Sequence, residues 1–362
     1  MRAPSSLFTF VFAFLAGVPG LRAQFAAIEL GAPFLDNAVL QRGMPVPVWG
    51  RGLPQTRVTV EFAGQTRSAQ VGKDGKWRVS LAPLKASAQP RDLKVTGHMG
   101  AILRKNLLVG EVWFSSGQSN MVWVAGKSLC RELANELASA KEEVPIRELN
   151  VDTVSALYPQ ERATAEESSW KTTKAAAGFS ALSLSFAHEL HKELGVPVGI
   201  LLSAHSNTRI EAFTQREAIE AHPKLKGDAD LIRNADPLTA QGRKAYEQYY
   251  ADLKAWQDAA GQAMEQGGRV PTRPKLPGIA GMWRGPSKFF NGKIAPVIPY
   301  AIRGAIWCQG TSNSGDGRIY AARMEALVKG WRDAWDRPEL PFYFTQMQSY
   351  GTPDPGTVGF AD

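Results

Sequence analysis

Between about Gln24 and Leu107, apolar residues alternate with polar ones in short runs separated by turn residues: Ala38-Val39-Leu40, Val46-Pro47-Val48-Trp49, Val58-Thr59-Val60-Glu61-Phe62 and Trp77-Arg78-Val79-Ser80-Leu81. A period of two puts every second side chain on the same side of the chain, so these runs predict strands with one buried face. Asp74-Gly75 lies between Val71 and Trp77, and both residues tolerate the positive φ of a tight turn, which predicts a hairpin there. The expected unit is a small β-sandwich over 24–107, an accessory module with or without sugar-binding capacity of its own.

The spacing changes near Gly110, where longer helical patterns alternate with short apolar runs as in an α/β domain. Val112-Trp113-Phe114 reads as the first strand of this part. Leu182, Phe186, Leu190 and Leu194 recur every four residues, which predicts one helix face, and Gly195 closes that helix. His188 and His191 fall off the apolar line and are expected in solvent. Residues 198–202 (VGILL) predict a fully buried strand. Residues 214–285 read as an insertion, with a polar helix around 243–257 and a Gly/Pro-rich passage through Pro271, Pro274, Pro277 and Gly278. Such a segment forms either a wall of a cleft or a surface excursion. A strand at 305–308, a helix at 321–335 and a strand at 342–346 complete the pattern.

Two of these strands end on residues that carry chemistry. The passage from Gly110 to Met121 (GEVWFSSGQSNM) places Gly117-Gln118-Ser119-Asn120 directly after a buried strand. A serine at the carboxyl end of a parallel strand faces the crevice where α/β proteins bind ligands. If Ser119 opens a helix, its hydroxyl also meets free N–H groups and the positive end of a dipole. A serine there is equally a routine helix cap. The second passage, from Arg303 to Asn313 (RGAIWCQGTSN), again sets Gly, Ser and Asn after a strand. An Asn amide in that place can donate to a developing oxyanion. The G-x-S-x-G elbow of the α/β-hydrolases is absent.

Composition adds limits. The 362 residues carry 42 Lys and Arg against 34 Asp and Glu, a mild basic excess without a Lys/Arg block, which argues against nucleic acid as a partner. Arg2 followed by the apolar run from Leu7 to Val18, with a cut after Ala23, reads as a secretory signal peptide over 1–23 and predicts a secreted or periplasmic protein without a stable membrane anchor. The only cysteines are Cys130 and Cys308. Cys308 sits in an apolar run and reads as a small buried residue, and a single bridge between the two is the alternative. No Cys/His cluster is present, so neither metal nor cofactor is expected.

With both blocks in view, the chain resembles the sialate O-acetylesterase family of the SGNH hydrolase superfamily. The first block of that family often reads Gly-Gln-Ser-Asn-Met and a later one Trp-Tyr-Gln-Gly-Glu-Ser-Asn. The likeness extends to residues 34–42 (FLDNAVLQR), 195–199 (GVPVG), 291–296 (NGKIAP) and 339–343 (ELPFY). The resemblance implies an SGNH-type three-layer α/β/α domain over 108–362 with a parallel sheet, preceded by the β-sandwich. It also implies an acetylated carbohydrate as substrate and no metal. Ser119 then becomes the nucleophile and a backbone oxyanion donor, Asn313 a side-chain oxyanion donor, and Gln118, Asn120 and Gln309 substrate-binding residues.

The chain departs from the family pattern in three places. A usual Gly-Gly-Thr stretch is replaced by Ser206-Asn207-Thr208, where Asn207 or Ser206 offers an N–H and Asn tolerates left-handed φ. Thr311 stands where the family has Glu. An Asp-x-x-His pair is expected beyond Asp362, in a C-terminal piece the chain lacks, with Gly359-Phe360-Ala361-Asp362 beginning another helix. None of His98, His188, His191, His205 and His222 lies in such a context, and His205 alone falls near the expected site. The expected function is removal of O-acetyl groups from sialic acid or a related glycan through an acetyl-enzyme. The alternatives are a catalytically silent glycan-binding protein and an acetylesterase acting on plant polysaccharide.

Overall fold

The computed structural model describes residues 28–151, 154–162 and 169–346; the expected signal peptide and the Gly359–Asp362 helix start lie outside them. Eight strands come first: β1 (Glu29–Leu30), β2 (Val39–Gln41), β3 (Val46–Arg51), β4 (Arg57–Phe62), β5 (Gln65–Gln70), β6 (Lys76–Leu81), β7 (Ser87–Gly97) and β8 (Gly100–Gly117). The alternation read from the sequence is visible in burial, since Val58, Val60 and Phe62 of β4 and Trp77, Val79 and Leu81 of β6 point inward. A small sheet, β1-β3-β6, packs on the larger one through a shared core that includes Val48, Val79, Val60 and Val95.

Asp74-Gly75 does form a tight turn, with Gly75 at φ +77° and its N–H donating to the Gly72 carbonyl. The strands it joins nevertheless belong to different sheets. β5 pairs with β4, whereas β6 pairs with β3. The turn therefore crosses between layers rather than closing a hairpin, a difference that local turn chemistry does not encode.

The remaining elements are α1 (Ser119–Val122), α2 (Arg131–Ser139), β9 (Ile146–Asn150), β10 (Lys171–Thr172), α3 (Ala181–Leu194), β11 (Val198–Ala204), α4 (Arg216–Ala221), α5 (Lys226–Ala235), α6 (Ala240–Glu265), β12 (Gly304–Cys308), α7 (Ile319–Ala334) and β13 (Phe342–Thr345). Strands β9, β11, β8, β12 and β13 lie side by side and parallel. Successive residues alternate between two cores. Phe114, Leu201, Ala305 and Trp307 face the core beneath α7, while Trp113, Ile200, Ile306 and Cys308 face the one beneath α3. A strand covered on both faces reads as a continuous apolar run, which is why VGILL and AIWC were legible.

The shift in pattern near Gly110 falls inside one strand. β8 pairs antiparallel with β7 along its first half and parallel with β11 and β12 along its second. Gln41, Arg42 and Arg303 meet at this crossing on the buried Glu111 carboxylate. Arg42 Nε donates at 2.6 Å, Arg303 Nε at 2.7 Å and Gln41 Nε2 at 3.3 Å. Burial works to raise the Glu111 pKa, but these bonds outweigh it and the net shift is downward.

Helix α3 ends at Gly195, φ +63°, as expected. Its deepest residues are Ser183, Leu184 and Ala187, with Leu182, Phe186 and Leu190 partly buried on the flank and Leu194 exposed. His191 is half-buried, its ring Nδ1 2.7 Å from the Val196 carbonyl. Helix α6 runs well past the expected 243–257, and most of its residues are exposed. No described helix is long and apolar enough to cross a membrane.

Candidate active site

Ser119 stands at the carboxyl end of β8, the strand flanked by β11 and β12. It is the first residue of α1, with Gln118 in the cap position. The turn before it needs glycine. Gly117 has φ +141°, and a Cβ there would meet the Cys308 carbonyl oxygen at 2.0 Å. That close approach lets Gln118 N–H donate to Cys308 O and His205 N–H donate to Gly117 O, joining the ends of the three strands. Ser119 is partly exposed, and first-turn N–H groups such as its own have no partner within a helix.

The two sequence blocks interlock through Gln118 and Gln309, both buried. Gln118 Oε1 accepts from Gln309 Nε2 at 2.8 Å and from Ser312 N–H at 3.3 Å, while Gln118 Nε2 donates to Ser119 Oγ at 3.3 Å. Gly310 makes room for this contact, because a Cβ there would lie 2.2 Å from Gln118 Nε2. Asn120 is exposed beside Ser119, and Thr311 is exposed too.

Asn313 is fully buried below this layer. Its Nδ2 donates to Asp316 Oδ2 at 2.6 Å and to Glu211 Oε2 at 3.1 Å. Its Oδ1 accepts from Gln309 Nε2 at 2.8 Å and from Ile210 N–H at 2.9 Å. The carboxylates are held in turn by arginines. Arg209 reaches both Glu211 and Asp316, each at 2.5 Å, and Arg323 pairs with Asp316 and, at 3.0 Å, with Asp228. Burial raises the Asp316 pKa, but donation from Asn313, Arg323 and Arg209 carries it below the usual carboxylate range. Asp228 moves the other way, because burial exceeds what Arg323 supplies.

Asn313 is marked in the sequence by its place after a strand, whereas this network is not. Glu211 carried the one available signal, an acid set between Ile210 and Ala212-Phe213 in an apolar turn. Arg209, Asp316 and Arg323 are isolated charges whose convergence depends on the fold.

The Ser206-Asn207-Thr208 turn lies after β11 and is tied to the Ser119 turn by His205 N–H donating to Gly117 O and by Gln309 Nε2 donating to the Thr208 carbonyl at 3.2 Å. Asn207 has φ +52°, the left-handed conformation that Asn accepts. Its N–H donates to no described residue, and its carbonyl accepts from Arg284 at 3.0 Å. Arg284 and its neighbour Trp283 are exposed residues of the Gly/Pro-rich passage, which is thereby anchored at the site. Trp283 meets Phe289, against which the His205 ring also packs.

His205 is half-buried. Its Nδ1 lies 2.9 Å from the Ser206 carbonyl, and since a carbonyl can only accept, Nδ1 carries the proton. Burial lowers the His205 pKa, offset in part by that carbonyl and reinforced by the nearby Lys293 and Arg284 cations. The neutral ring therefore predominates near pH 7. Lys293, itself buried, donates to the Ala204 carbonyl at the end of β11. Among the described residues, the hydrogen bond at Ser119 Oγ comes from Gln118 and none comes from a histidine. Cys130 and Cys308 are both free thiols. No group of three or more potential metal ligands occurs among the described residues.

A central parallel strand ending on a serine, covered by helices on both faces and extended by an antiparallel module, defines an α/β/α protein with a β-sheet module ahead of it. A solved carbohydrate acetylesterase from Xanthomonas citri has the same architecture, with TM-score 0.66 and 25% identity over 88% of this chain and 60% of that one. Similarity extends to the sialate O-acetylesterases of Mus musculus, 24% identical over the whole chain, and Homo sapiens, 25% identical over 88% of it. The chain spans 67% of the mouse protein's length and 57% of the human one's. No known family profile matches it.

Proposed function

We propose that this chain carries the nucleophile of a serine esterase that removes O-acetyl groups from carbohydrate. The observation that supports this most directly is the placing of Ser119 on a glycine-dependent turn between the ends of β11 and β12, stitched by Gln118 to Gln309. Ser119 Oγ would attack the acetyl carbonyl, and the sugar hydroxyl would leave with the proton. Water would then cleave the acetyl-enzyme to release acetate. The N–H groups of Ser119 and Asn207 are the proposed backbone donors to the tetrahedral oxyanion. Asn313 joins them only if one of its bonds to Glu211 or Asp316 is exchanged when substrate binds. Gln118, Asn120 and Gln309 border the acyl position.

An acidic sugar fits this rim better than a neutral plant polysaccharide. Arg284 is an exposed cation tied to the Asn207 carbonyl with further N–H donors to offer, and Trp283 beside it presents an aromatic surface. A guanidinium next to a ring suits a carboxylated pyranose such as sialic acid.

The test is acetate release from O-acetylated sialic acid by the chain and by its Ser119→Ala and His205→Ala variants. Release that disappears with Ser119→Ala is expected, and release indifferent to Ser119→Ala would sink the reading; a loss with His205→Ala as well would make that imidazole the base. One observation favours a second reading, a glycan-binding protein without turnover: among the described residues no imidazole reaches Ser119. Saturable sugar binding with no acetate release would decide for it.

A further inference from the structure

The outer face of the small N-terminal sheet carries residues that the esterase reading does not use. In the β3/β6 register, Trp49 lies opposite Arg78 and Arg51 opposite Lys76, while Glu29 of β1 pairs with Arg51 on the other side. Val48 and Val79 alternate with these residues and point into the core, so the Trp49, Arg51, Lys76 and Arg78 side chains share the other face. That face forms one wall of a cleft of about 1000 Å³, closed by residues 159–162 and by Ala295, Ile298 and Pro299. The volume lies at the upper end of the range for small-ligand sites.

Charge within the cleft is unevenly compensated. Arg51 and Lys76 are like charges directly opposite one another, an unfavourable pair unless an anion bridges them. Glu161 does so, at 2.6 Å from Arg51 and 2.5 Å from Lys76. Arg78 is exposed and has no ion pair or hydrogen bond among the described residues. The indole N–H of half-buried Trp49, across the ladder from it, donates to no described residue either. One wall of the cleft thus offers, at neighbouring positions, an aromatic ring and a guanidinium and an N–H donor that have no partner among the described residues.

We infer that this cleft is a second saccharide site, taking the carboxylated sugar of an acidic glycan. The carboxylate would pair with Arg78, and a ring hydroxyl would accept from Trp49 Nε1. The site is remote from Ser119. Arg104 lines the cleft while Gly117 ends the same strand, roughly 40 Å further along at ordinary strand rise. The inference stands whether or not Ser119 is a nucleophile.

Calorimetric titration of the full chain with 3′-sialyllactose, beside neutral lactose, tests it. Saturable binding of sialyllactose is expected, at least tenfold tighter than lactose, with Arg78→Glu removing the difference at an unchanged melting temperature. Trp49→Phe keeps the packing on Phe34 and Tyr300 and should weaken binding a few-fold through the lost N–H. Equal affinity for the two sugars, no binding of either, or full sialyllactose affinity in Arg78→Glu would overturn the inference. Acetate release is measured in parallel and should not change with Arg78→Glu, so failure here is separable from failure of the esterase reading.

Discussion

Gln309 Nε2 donates to Gln118 Oε1 at 2.8 Å, a bond between side chains 191 residues apart that ties the turn after β12 to the turn that presents Ser119. Gln309→Ala leaves a buried acceptor on Gln118 with only the longer contact from Ser312 N–H. A loss of about 1–3 kcal/mol is expected in urea denaturation, together with slower acetate release because Gln118 no longer holds Ser119 Oγ. Gly310→Ala should reproduce the activity loss, since its methyl group would occupy the space of Gln118 Nε2.

Gly117 combines a positive φ with a backbone oxygen where a Cβ would stand. No rotamer change relieves a clash with the Cys308 carbonyl, so Gly117→Ala should cost about 3 kcal/mol or more and reduce soluble yield. Gly178→Ala, at a position with open space, serves as the control and should be close to neutral. Equal stability of the two variants would refute the packing argument.

Glu111 gives the fold an acid-sensitive element. Its folded pKa lies below the ordinary 4.5, because bonds from Arg303, Arg42 and Gln41 exceed the opposing effect of burial. The stabilisation is therefore complete above about pH 4.5 and is lost as pH falls through the depressed folded value. Melting temperatures taken between about pH 3 and 6 should drop more steeply for the wild type than for Glu111→Gln. Parallel curves would mean that Glu111 does not contribute to acid lability.

Asn313→Ala removes a donor shared by Glu211 and Asp316 and the acceptor of Ile210 N–H. A loss of about 1–3 kcal/mol in stability is expected. If the amide also serves the developing oxyanion, the rate measured well below the new midpoint should fall about 10²–10³-fold. A stability loss with an unchanged rate would restrict Asn313 to positioning.

The central strands were legible because they are buried on both faces, so β11 and β12 appear as apolar runs that no neighbour can disguise. Ser119 and Gln309 were legible because each follows such a run. The pairing after Asp74-Gly75 was not legible, since the turn is local while the choice between β5 and β3 as partner of β6 depends on the whole core. The Arg209–Glu211–Asp316–Arg323 network is hidden for a related reason: scattered charges carry no period, and their burial is decided by where α7 packs. Arg284 escaped notice because a Gly/Pro-rich passage has no pattern to show which of its residues will return to the site.

Strand β8 belongs to both halves of the molecule, antiparallel to β7 at its start and parallel to β11 and β12 at its end. A chain divided by a loop can melt in two stages, but a shared strand leaves no hinge at which one part can open alone. The antiparallel module and the serine-bearing sheet should therefore behave as one cooperative unit, giving a single calorimetric transition. Trimming the N-terminal strands would then act as a lesion in the serine-bearing sheet itself.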